Sequence, residues 1–327
     1  MRLRHAISAS TLLILLTACS WANTVEGSFD RTLNVSSGGV DLNVRTGAGS
    51  ITVRSGGGNA VSIHAKIQAR DNWLWNSGLS AEEKVKKLEA NPPVEQTGNS
   101  IRIGYINDES LRNNVAISYE IVTPRDTRLH SATGSGGQQI NDVAGTVRVS
   151  TGSGSLKLSH IGGEVRANTG SGSISADDVK ARAYAETGSG TIEAIGIAGG
   201  FYGRTGSGDI RFEQTAAGEV DVQTGSGTIR LKNVHGSLEA GTGSGSIEAQ
   251  GTMAGDWRLH TGSGTVRVEL PKEAKFDVNA RSSSGSVTID HPITVQGTLR
   301  RNHIEGAVNG GGTKLDISTA SGSIHVL

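Results

Sequence analysis

Histidine, paired carboxylates and a recurrent serine are the residue types in this 327-residue chain most suited to chemistry, and their spacing argues against most of it. The nine histidines, among them His64, His160 and His260, form no HxH or HExxH pair and have no cysteine nearby, so a catalytic zinc site is not expected. The serine of the repeated Thr-Gly-Ser-Gly unit lacks the context of a nucleophile elbow and has no histidine or acid recurring with it; it reads as a corner residue. The glycine-rich units do not end in the Gly-Lys-Ser/Thr of a phosphate loop. Only Gly206-Ser-Gly-Asp209 approaches a calcium-roll repeat, and Asp177-Asp178 reads as a solvated pair in a turn. No cofactor and no metal are expected.

Cys19 is the only cysteine, which leaves no internal disulfide, and its position gives it another use. Arg2, Arg4 and His5 precede an apolar run from Ala6 to Leu16 that is too short to span a bilayer, and Leu16-Thr17-Ala18-Cys19 closes it. The first 18 residues read as a secretion signal. Their end resembles the bacterial lipobox, which implies that Cys19 carries a lipid and becomes the mature N-terminus. Ser20 follows where inner-membrane lipoproteins carry Asp, so in a Gram-negative cell the expectation is the outer membrane. Residues 19–24 make a short tether, reaching at most ~20 Å at ~3.3 Å per residue.

Composition points to the elements that must carry the rest of the chain. Glycine fills 47 positions, about twice the usual share of roughly 7%, whereas Pro fills 5 and aromatics 4%. Basic and acidic residues balance at 31 each, so no global field favours nucleic acid. Thr-Gly-Ser-Gly begins at Thr133, Thr151, Thr169, Thr187, Thr205, Thr224, Thr242 and Thr261, a period of 18 or 19 residues. Weaker copies start at Ser282 and Thr319, and an outlying one at Thr46.

Apolar residues alternate on both sides of each unit. Ile174/Ala176, Ile192/Ala194 and Ile210/Phe212 follow successive corners, and Val165/Ala167, Ala183/Ala185 and Phe201/Gly203 precede the next ones. Two strands this short cannot bury a core alone, so the coils must stack into parallel sheets about 4.8 Å apart. The expectation is an all-β fold, a parallel β-solenoid of ~18-residue coils with positive φ at a corner glycine and a looser turn between the strands. Aliphatics do not recur every six residues, so a right-handed or flattened coil is expected in place of the left-handed hexapeptide helix. Outward positions then line up across rungs: Glu193, Arg211, Arg230, Glu248 and Arg267 form a row of mixed charge. Arg166, Tyr184 and Tyr202 form another, which could hold a sugar ring or a peptide; the alternative is that the stacked tyrosines only stabilise neighbouring strands.

Residues 25–132 read as further β structure with a weaker repeat and one helix at about 80–90, opened by a capping box at Ser80 and Glu83 and closed at Asn91-Pro92-Pro93. Trp73 and Trp75 stand just before it. They belong either to a lid over the first coils or to a partner-binding patch. Residues 133–327 read as the repeat solenoid with its C-terminal cap.

The strand Tyr119-Glu-Ile-Val-Thr-Pro124 running into Thr133-Gly-Ser-Gly, the repeated TGSGxI units, and Ala307-Val-Asn-Gly-Gly-Gly312 followed by Ile317-Ser-Thr-Ala-Ser-Gly-Ser-Ile324 resemble the bacterial putative-adhesin family of unknown function numbered 4097 in its series. The resemblance covers nearly the whole mature chain. It implies a β-solenoid on exported or envelope-associated proteins and supplies no catalytic residues. The functional expectation is a lipid-anchored, non-enzymatic envelope module for binding, adhesion or scaffolding, with an envelope protein or glycan as partner. The alternative is a glycan-processing β-helix enzyme, a lyase or hydrolase, although the loops through residues 133–264 are minimal for one.

Overall fold

The computed structural model describes residues 24–71, 78–295 and 300–327. The expected secretion signal (residues 1–18), Cys19, Trp73 and Trp75 lie outside the described residues. Each repeat supplies two strands, as the alternation requires. Val147–Ser153, Val165–Ser171, Ala183–Ser189, Phe201–Ser207 and Val220–Ser226 pair in parallel, each with the next, in one long sheet. Leu156–Ile161, Ile174–Val179, Ile192–Ile197 and Ile210–Gln214 do the same in a second. Register carries like onto like: Thr151 faces Thr169, Thr187, Thr205 and Thr224 on successive rungs, and Ile174 faces Ile192, Ile210 and Ile229.

The interior is largely apolar along this stack, with Ile174, Ile192, Ile210 and Ile229 buried. Phe201 and Phe212 stack face to face at 4.7 Å. That stack explains Gly203, since a Cβ there would meet the Phe201 ring at 2.7 Å. The turn between the strands is less loose than expected: it buries a third inward row, Ile161, Val179, Ile197, Gln214 and Val234. In the later coils the turn becomes continuous strand, in Ile229–Ser244 and Ile247–Ser263.

Close approach, more than turn geometry, accounts for the corner glycines. The second glycine has positive φ in several corners, as at Gly136 (+148°) and Gly245 (+148°). Both glycines also sit directly over the glycines of the preceding coil. A Cβ on Gly152 would lie 2.5 Å from the Gly134 carbonyl oxygen, and one on Gly170 would lie 2.5 Å from that of Gly152. No side chain fits between rungs there. Each Thr of the Thr-Gly-Ser-Gly corners from Thr133 to Thr261 is buried and turns its hydroxyl onto the same column: Thr169 Oγ1 donates to Gly154 O at 3.0 Å, Thr187 to Gly172 O at 2.8 Å, Thr205 to Gly190 O at 2.9 Å.

On the outer face of the second sheet, Arg211 pairs with Glu193 at 4.0 Å, and Arg230 lies between Glu248 (3.4 Å) and Asp209 (3.6 Å). Arg267 turns to Glu269 of its own strand at 2.9 Å. All are substantially exposed, so they support register and add little energy.

Both ends of the stack depart from sequence order. Val40–Ala48 pairs in parallel with Thr127–Ser135, setting Thr46 opposite Thr133, so the outlying copy is a complete rung of the solenoid. Ile51–Gly56 completes it in the other sheet, between Gln138–Asn141 and Val115–Pro124. Beyond it Thr24–Asn34, Ala60–Arg70 and Val115–Pro124 form an antiparallel layer. The helix Ala81–Ala90, with its Ser80/Glu83 capping box, buries Val85 and Leu88 on that layer. Gly27 admits it, because a Cβ there would collide with Val85, and Ser28 N–H is taken by Glu89 at 2.9 Å. At the other end Thr313–Ser321 lies between Ile247–Ser263 and Phe276–Ser284, parallel to both.

Candidate functional site

The alternation of the corner-bearing strands points Arg166, Tyr184 and Tyr202 outward, and their parallel register sets them on three consecutive rungs. The structure brings all three together. The tyrosine rings are 6.1 Å apart and tilted by 45°, and the Arg166 guanidinium lies 4.4 Å from the Tyr184 ring centre. Tyr184 is therefore flanked from the preceding rung by a cation and from the following rung by a ring, and both tyrosines are half-buried. Trp73 and Trp75, the other aromatic candidates, lie outside the described residues.

Three further residues complete the cluster. Arg204 stands 4.6 Å from the Tyr202 ring centre, and Arg182 Nη1 donates to the Tyr184 hydroxyl at 3.4 Å. Glu164 accepts from Arg166 Nε at 2.8 Å, a bond that raises the guanidinium pKa and orients the group over the ring. Arg204 was legible, since it lies two residues after Tyr202 and so shares its face. Arg182 and Glu164 belong to the turns, where period-two reasoning gives no direction.

On the next rung Asp221 approaches Arg204 at 3.8 Å. Burial raises its pKa and Arg204 works in the opposite direction. Beside the tyrosines runs an open depression of about 630 Å³, lined by Ser150, Asn168, Glu186 and Arg204 over the side-chain-free corners at Gly170 and Gly188. Chemically this is a surface of guanidinium donors, phenol edges and the carboxylates of Glu164, Glu186 and Asp221, spread along an open floor. Because Arg166 and Tyr202 flank it, the Tyr184 ring offers its edge and hydroxyl more than a bare face.

The other reactive types are used structurally. Asp178, at φ +53°, is engaged by Lys180. Asp209 accepts Thr228 N–H at 2.9 Å, which accounts for the calcium-like Gly206-Ser-Gly-Asp209. His64 pairs with Asp30 at 2.8 Å and His160 with Asp142 at 3.3 Å. Among the described residues no group of three or more His, Cys, Asp or Glu is placed to hold a metal, and no helix is long and apolar enough to cross a membrane.

Stacked parallel coils, a glycine-threonine column at one corner and outward ladders on both sheets define a repeat β-solenoid. The chain belongs to the Toastrack DUF4097 family, whose model matches residues 82–327. Two solved structures align with it: a putative cell adhesion protein from Clostridium sporogenes, at 13% identity over 92% of this chain and 99% of that one with a TM-score of 0.23, and a putative adhesin from Bacteroides fragilis, at 10% identity over 92% and 97% with a TM-score of 0.29. None of the curated proteins compared with the chain matches it.

Proposed function

We propose that this protein is a lipid-anchored module of the bacterial cell envelope that binds an extended partner, an envelope glycan or protein, and does no catalysis on it. The observation that carries the reading is the Arg166–Tyr184–Tyr202–Arg204 cluster, built on consecutive rungs about 4.8 Å apart beside an open depression. A surface whose donors repeat along an axis suits a polymer, whose own groups repeat, better than a small substrate that needs enclosure. The Leu16-Thr-Ala-Cys19 motif supports attachment through Cys19, to the outer membrane if the cell is Gram-negative, with the solenoid close to the lipid.

The double substitution Tyr184→Ala with Tyr202→Ala tests the surface, because both side chains point away from the core. Its circular dichroism should remain that of β-sheet while binding to isolated envelope glycans or whole envelopes falls at least tenfold. Full binding by the folded double variant would refute the site. Cys19→Ala tests the anchor: the protein should be exported and no longer fractionate with membranes.

A further inference from the structure

The rung nearest the C-terminal end of the sequence is not the last rung of the stack. After Ile247–Ser263 and Val266–Glu269 the chain skips a position and lays down Phe276–Ser284 and Val287–Ile289. It then returns through His303–Val308, antiparallel on the outer side of Phe276–Ser284, and fills the gap with Thr313–Ser321 and Ile324–Val326. The filling rung is paired on both edges. Leu315 lies between Trp257 and Val278, Ile317 between Leu259 and Ala280, and Ile324 between Val266 and Val287. Leu315, Ile324 and Val326 are fully buried.

Withdrawing residues 313–327 would open a slot one strand wide, with unpaired backbone on both walls in both sheets. What fits that slot is narrowly defined. It must place apolar side chains at the Leu315, Ile317, Ile324 and Val326 positions. It needs a hydroxyl at Thr319, whose Oγ1 donates to Gly264 O at 3.2 Å. It also needs glycine at 322, because a Cβ there would strike the Gly264 carbonyl and Gly285 in turn sits against Gly322. The occupant that meets every requirement is the same segment of a second copy.

The connection that holds it at home is short and conformationally costly. Val308 and Thr313 both pair with Phe276, from opposite sides, so Asn309–Gly312 must reverse the chain around the end of one strand. It does so with Asn309 at φ +50°, Gly310 at +92° and Gly311 at +81°. Short hinges of this kind favour exchange, because opening extends them while every strand contact is remade between copies.

We propose that residues 313–327 are a donor rung, exchanged reciprocally between two copies of this chain to join them at their C-terminal ends. Anchoring through Cys19 would raise the local concentration of copies, and that clause alone rests on the proposed function; the exchange is tested without it.

The test uses residues 19–327 with Cys19→Ser. His260 and Ser318 are exposed register partners on neighbouring strands, with Nδ1 and Oγ 3.0 Å apart. One batch carries His260→Cys and another Ser318→Cys, and the two are mixed, refolded together and oxidised. Exchange should give a disulfide-linked dimer containing one chain of each kind, whereas the mid-stack pair Arg204→Cys and Gln223→Cys, also register partners, should give none when mixed in the same way. A mixture that links no better than the mid-stack pair, while His260→Cys and Ser318→Cys in one chain close internally, overturns the proposal. A second variant needs no disulfide. With Gly310 and Gly311 deleted, three peptide links of about 3.6 Å each must span two sheet spacings, about 9.6 Å, and still turn around a strand end. That variant should scatter light as a dimer, and a folded monomer would also overturn the proposal.

Discussion

Gly152 and Gly47 occupy the same place in the Thr-Gly corner motif, yet alanine should destabilise strongly at the first and leave the second unaffected. A Cβ on Gly152 would lie 2.5 Å from the Gly134 carbonyl oxygen of the preceding rung, whereas one on Gly47 would meet nothing within 4 Å. The reason is that the strand outside Gly47, Ser100–Ile103, pairs only as far as Val44 and stops short of the corner. To accept the methyl group at 152 the rungs must part by roughly 0.7 Å, because interiors are packed to contact. That opening would stretch Gly136 N–H to Ser153 O, already 3.3 Å, and Thr151 Oγ1 to Gly136 O, 3.1 Å, beyond hydrogen-bonding range. Two bonds at about 1 kcal/mol each, with overpacking strain of about 1–2 kcal/mol, give a loss of about 3–4 kcal/mol for Gly152→Ala. Gly47→Ala should stay within about 0.5 kcal/mol of the parent. Urea titration followed by far-ultraviolet circular dichroism measures both. Equal midpoints for the two variants, whether both lowered or both unchanged, would refute inter-rung approach as the reason for the glycines.

The inward and outward assignments predict a second contrast: Ile210→Ala, fully buried between Ile192 and Ile229, should cost about 2–5 kcal/mol. Its exposed neighbour Arg211→Ala should cost well under 1 kcal/mol in the same melts. Asp221, whose pKa is raised in the fold chiefly by burial, is disfavoured as a carboxylate there; folding stability is then lost as pH climbs from its unfolded pKa through the higher folded one. Asp221→Asn should consequently be at least as stable as the parent at pH 7, with the difference shrinking as pH falls below the ordinary aspartate range. A parent that is more stable than Asp221→Asn at pH 7 would show that the Arg204 attraction outweighs desolvation.

The coil can be read from the residue pattern alone. A Thr-Gly-Ser-Gly period of 18 or 19 residues with period-two apolar strands admits stacking in parallel, and stacking identical corners locks the register. That is why the Tyr184–Tyr202 neighbourhood and the Ile192–Ile210–Ile229 column were legible without coordinates, and why the Ser80/Glu83 cap announced the helix. Tertiary structure decided what depends on partners far apart in the chain. The third inward row at Ile161, Val179 and Ile197 was hidden because a turn has no fixed alternation. Arg182 and Glu164 were missed for the same reason, and Arg230 found a second acid, Asp209, that no row of like positions contains. Above all, local pattern gives a strand its faces and leaves its neighbours open: Thr46 and Thr319 carry the corner motif, yet nothing within their own segments says that one stacks on Thr133 and the other slips between Thr261 and Ser282. Those placements come from backbone pairing across tens of residues, which satisfies two strand edges at each end of the stack at once.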